Sequence, residues 1–164
     1  MNKKTKKLLF VCCEVLLALA AFIMLFLPAL GLKDTDTTYS GMQITFGYSA
    51  KVGALSVRYF EFSFMNFLTY IFAVAALVLA VLKLFIKDSK LITILVASLL
   101  VAAGIFFFLA LPFTIVNDNI KTVIGAFGGN VKDAFTLAIG SILGGVFSIL
   151  GGVVACVEFI VAKE

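Results

Sequence analysis

The stretch LITILVASLLVAAGIFFFLALPF, residues 91–113, decides the fold class. It contains no charged residue. At a rise of about 1.5 Å per residue, a helix of this length crosses a hydrocarbon layer of about 30 Å. Three further stretches match it in length and apolarity: Leu8 to Leu30, Phe67 to Ile86, and Phe135 to Ala162. Each is continuously apolar. A membrane β-barrel would instead require many segments of about 10 residues alternating apolar and polar. Composition agrees, with 63% of the chain hydrophobic and 13% charged, against roughly 45–50% and about 25% in soluble domains. The expectation is an all-α integral membrane protein, a single domain over residues 1–164 built as a four-transmembrane-helix bundle.

Orientation is read from lysines. Lys3, Lys4, Lys6 and Lys7 precede the first span, and Lys83, Lys87 and Lys90 crowd the junction of the second and third, with residues 87–90 as the connection. Basic flanks stay on the cytoplasmic side, so both termini are expected in the cytoplasm and the protein in the plasma (cytoplasmic) membrane. In the longer connections, 31–66 and 114–134, Lys33, Lys51, Arg58, Lys121 and Lys132 balance Asp34, Asp36, Glu61, Asp118 and Asp133. The net charge of +4 therefore belongs to juxtamembrane lysines able to meet anionic headgroups, and implies no nucleic acid. The apolar run after Lys7 exceeds the roughly 7–15 residues of a secretory signal core, so it is expected to remain as a span. Cys12, Cys13 and Cys156 fall near cytoplasmic helix ends, where thiols stay reduced, and read as small packing residues.

The first outer loop, 31–66, predicts an extracellular β-hairpin over 41–64. Met42, Ile44, Phe46 and Tyr48 alternate with polar or small residues, as do the residues of Leu55 to Phe64, around a turn at Lys51-Val52-Gly53-Ala54. The second outer loop carries Ile120, Val123, Ile124 and Phe127 at helical spacing, with Asn117 or Asp118 as a cap and Gly128-Gly129 as a stop. A short surface helix is expected there. Pro28 and Pro112 both fall at outward span ends, where a helix break costs least.

Small residues mark where helices approach closely in lipid. Ser141, Gly144, Gly145, Ser148, Gly151, Gly152 and Ala155 form such a face on the fourth span, and Thr69, Ala73, Ala76 and Ala80 repeat the rhythm on the second. The two spans are expected to pack on each other. Glu14 and Glu158 lie inside apolar spans, a placement that defaults to function. Either they form a proton- or ion-coupled pair, or each meets a lysine such as Lys6, Lys7, Lys83 or Lys163 and is structural; their depth, away from the midplane, favours the second reading. The chain has no histidine and no aspartate within a span, so neither an imidazole metal site nor an activated nucleophile is expected, and no enzyme, metal or cofactor is implied.

The order of span, long strand-bearing outer loop, span, short basic inner loop, span, shorter outer loop, span resembles that of claudins and related peripheral-myelin tetraspans. Those families carry a Gly-Leu-Trp motif and a cysteine pair in the first outer loop, and 31–66 has neither tryptophan nor cysteine. The resemblance implies a left-handed bundle with an outer sheet used for lateral or cell-to-cell contact. Tyr39, Tyr48, Tyr59, Phe60 and Phe62 are the candidate partner surface, being residue types enriched at interfaces. The expected role is that of a structural, accessory or partner-binding subunit, acting through its outer loops and Gly-rich fourth span on the bilayer and on another membrane or extracellular protein, or on itself. The alternative is a subunit of a homo-oligomeric channel or transporter using Glu14 and Glu158.

Overall fold

The computed structural model describes residues 3–86, 90–126 and 129–161. Four helices long and apolar enough to cross a membrane dominate it: α1 (Lys3–Ile23), α3 (Phe64–Leu82), α4 (Lys90–Phe108) and α8 (Ile139–Val161). Each packs on two neighbours in the cyclic order α1, α3, α4, α8. No more than 39% of any of these spans is buried, and the faces left open carry leucine, isoleucine, valine and phenylalanine, which only an apolar solvent accommodates. The α1 helix overshoots the bundle at its start, Val11 being its first described buried side chain.

The span ends that adjoin residues 31–66 and 114–134 all differ from the hydropathy reading, each for its own structural reason. The first helix ends at Ile23, passes through a 3-10 turn at Met24–Phe26, and turns Pro28–Leu32 into β1, with Pro28 at the first strand position, where its missing N–H is tolerated. The third stops at Phe108, because the Pro112 ring would collide with the carbonyl four residues earlier; Ala110–Phe113 resumes as the short α5. The second starts at Phe64, where the Ser63 hydroxyl accepts the Asn66 N–H. The fourth starts at Ile139, since Phe135–Leu137 forms strand β5.

The end of the bundle formed by these breaks carries two sheets. In the first, β1 lies between β2 (Thr38–Ser40) and β5, both antiparallel, so that Leu30 faces Tyr39 on one side and Leu137 on the other. Because β1 follows α1 and β5 leads into α8, this sheet ties the two helix ends together. The second is the hairpin of β3 (Tyr48–Val52) and β4 (Leu55–Phe60), turning at Gly53, whose φ of +64° suits glycine. The base of the hairpin is held by a bridge from Phe60 to Val116 and by the Glu61 and Asn117 N–H groups, which donate to Ile115 and Tyr59 carbonyls. A cluster of Leu30, Tyr39, Ile44, Phe60, Val116 and Phe135 forms a core for this end alone.

A hairpin thus exists, but its first strand is not where alternation put it. Residues Gly41–Phe46 form helix α2. Ser40 and Gln43 make a reciprocal capping box, the Ser40 N–H donating to Gln43 Oε1 at 2.8 Å and the Gln43 N–H to Ser40 Oγ at 3.3 Å. Gly47, with φ +94°, ends it. Ile44 and its neighbour Thr45 both point inward while Met42 and Phe46 are exposed, whereas a period of two would put Met42, Ile44 and Phe46 on one face. The second strand likewise stops at Phe60 rather than Phe64. In the second connection α6 (Asp118–Ala126) is amphipathic and entirely superficial, followed by the short α7 (Val131–Ala134). Phe127 and Gly128, to which part of that expectation was tied, lie outside the described residues.

Candidate functional site

At the end opposite the sheets, three charged side chains meet inside the bundle. Glu14 comes from α1, Glu158 from α8 and Lys83 from the C-cap of α3. Lys83 Nζ lies 2.7 Å from Glu14 Oε2 and also donates to Glu158 Oε2. Glu14 is 0%, Glu158 3% and Lys83 7% exposed. Side chains lean toward the N-terminus of their own helix. The antiparallel α1 and α8 therefore aim their glutamates at each other, and α3 sends Lys83 back into the bundle between them.

Sequence reading held Lys83 as a topology-setting charge and one of four possible partners, and did not place it in the site. A signal was present: Lys83 extends the stripe Thr69, Ala73, Ala76, Ala80 by three residues, as Glu14 opens Glu14, Ala18, Ala21 and Glu158 closes Gly151, Ala155, Glu158. All three charges terminate small-residue faces. Ala18, Ala76, Ala80, Val96, Leu100 and Ala155 form the apolar floor beneath the triad. Lys6 and Lys7 stand on the protruding part of α1, and Lys163 lies outside the described residues.

The small-residue face of α8 is occupied within the chain. A Cβ at Gly144 would lie 2.6 Å from the Phe107 ring, at Gly145 2.7 Å from Phe108, at Gly151 2.9 Å from Leu100 and at Gly152 2.7 Å from Val101. These are α4 residues, so the principal neighbour of α8 is α4 rather than the second span, whose Ala76 and Ala80 share a cluster with Ala155 beneath the triad. Ser141 and Ser148 are buried on the same face, and neither hydroxyl has a hydrogen-bond partner among the described residues. Cys12 and Cys156 are exposed, which corrects the expectation that they fill gaps between helices.

The aromatic candidates divide. Tyr39 and Phe60 belong to the core of the sheet-bearing end, their rings edge to face at 4.8 Å, and this removes them from any partner surface. Burial, then the neighbouring Tyr59 and Tyr48 phenols, push the Tyr39 hydroxyl above its ordinary value. Tyr48 and Tyr59 are half-buried, and Phe62 is exposed in an aromatic group with Phe46 and Phe67. Beside them a cleft of about 490 Å³ opens between Leu111, Pro112, Ile115 and Val116, with Lys121 and Asn130 on its polar side. No protein-family model matches the chain, and no curated protein is similar to it by sequence.

Proposed function

We propose that the chain is a small tetraspan membrane protein of structural or accessory type, with both termini in the cytoplasm and the sheet-bearing end outside, where it docks a partner protein. One observation carries this reading. The sheet-bearing end has its own core, and from that core the β3–β4 hairpin projects, with Lys51, Leu55, Ser56 and Arg58 exposed. A two-stranded hairpin is marginal alone in water, and Leu55 stands 72% exposed near its tip, where a partner surface would cover it. The interior of the bundle, by contrast, is filled by alanine, leucine and phenylalanine, and Lys83 stands between the two acids that a conducting path would need free. This supports a structural use of the acids over a conducting one.

Cross-linking mass spectrometry on native membranes tests the reading. Lys51 should link to a second protein, and Leu55→Asp should abolish that link while leaving the unfolding temperature in detergent unchanged. Links confined to copies of this chain would overturn it in favour of a homo-oligomer, and ion flux from liposomes would then be the next measurement.

A further inference from the structure

Two carboxylates surround one ammonium in the triad, so full ionisation leaves one uncompensated negative charge. Site geometry gives that charge nowhere to go. Glu14 and Glu158 each place Oε2 on Lys83 Nζ, while Glu14 Oε1 is buried and has no donor among the described residues. Because both Oε2 atoms bond the same Nζ, the two carboxyls stand no more than two hydrogen-bond lengths apart. On the surrounding elements, Lys7 sits two turns away along α1, Lys90 is exposed at the start of α4, whose nearby buried residue is the neutral Thr93, and Cys13 and Cys156 flank the acids on α1 and α8. Lys87 and Lys163 lie outside the described residues.

An isolated buried charge costs several kcal/mol, whereas a charge-balanced and fully hydrogen-bonded cluster does not. Closely placed carboxyls meet this constraint by sharing one proton, since both cannot ionise side by side. We infer that the triad is a binding site for a single proton, held between the Glu14 and Glu158 carboxyls above the Lys83 ammonium. The proton comes from water at the nearer membrane face and returns there; no other group changes state. Bound, it supplies the O–H donor that pairs Glu14 with Glu158 and makes the cluster neutral. Released, it leaves a net charge at the junction of α1, α3 and α8, and that end of the bundle loosens. This inference rests on the membrane-spanning reading, which puts the junction out of bulk water, but not on the docking role.

Infrared spectroscopy of the full chain in lipid nanodiscs at neutral pH tests it. The wild type should show one protonated-carboxyl stretch per chain. Glu14→Gln and Glu158→Gln should each abolish the band, because the remaining carboxylate pairs one to one with Lys83. Lys83→Gln should double the band, as both acids then take up protons. A wild-type spectrum without the band would overturn the inference, as would a band that survives in the double glutamine variant or stays single in Lys83→Gln. Failure of the docking role would leave these spectra unchanged, and chain recovered in the aqueous phase rather than the membrane would identify failure of the spanning reading.

Discussion

Replacing Lys83 with methionine keeps an unbranched apolar stem of similar length and removes only the ammonium. In the folded chain this leaves Glu14, which is fully buried, and Glu158, which is nearly so, without a cation within bonding distance. Breaking a buried ion pair by deleting one partner costs about 3–5 kcal/mol, several times the 0–1 kcal/mol of a surface pair. The low exposure of all three groups places Lys83→Met in the first class. Glu14→Gln differs, since it leaves Lys83 with Glu158, a neutral pair, and should fall within about 1 kcal/mol of the wild type. The triple variant Lys83→Met, Glu14→Gln, Glu158→Gln carries no buried charge and should recover most of the loss, because neutral replacements of a buried ionic cluster are often tolerated. Equilibrium unfolding in mild detergent with increasing dodecyl sulfate, followed by circular dichroism, gives the three values. A Lys83→Met variant within about 1 kcal/mol of wild type would refute the reasoning. So would a Glu14→Gln variant as damaged as Lys83→Met.

Three further outcomes follow from other parts of the chain. Gly140→Ala places a Cβ 2.6 Å from the Pro28 carbonyl oxygen, a backbone atom that cannot swing away, so the junction of β1 and α8 should lose about 1–3 kcal/mol in the same unfolding assay. Gly125→Ala meets nothing within 4 Å on helix α6 and should stabilise that helix by about 0.5–1 kcal/mol, read as slower amide exchange over 118–126. Asp118, held below its ordinary value by the hydrogen bond and then the charge of Lys121, contributes to α6 stability above the unfolded-chain value of about 3.9 and loses that contribution as the pH falls through the lower folded value. Exchange of the α6 amides, corrected for its intrinsic pH dependence, should therefore quicken on acidification in the wild type and show no such change in Asp118→Asn.

Hydropathy alone determined that four apolar helices exist and roughly where, because the cost of exposing some 20 apolar residues overrides every local preference. The surface helix at 118–126 was equally legible, since its face is written in consecutive residues. The ends of the spans were not. Whether Phe135–Leu137 continues a helix or forms a strand depends on β1, more than 100 residues earlier, offering an edge, and no window along the chain contains that partner. Residues 41–46 show the same limit from the other side. Their alternation is compatible with a strand, but the Ser40–Gln43 capping box and Gly47 select a helix that buries Ile44 and turns Met42 and Phe46 out. Tyr39 and Phe60 read as exposed interface aromatics until the two connections at that end closed over them. The two glutamates were conspicuous in sequence because charge within an apolar run is costly, yet the residue completing their site was one of several lysines at helix ends. Its selection required the antiparallel crossing of α1, α3 and α8, which brings residues 14, 83 and 158 to one level of the bundle and sets the direction in which each side chain leans.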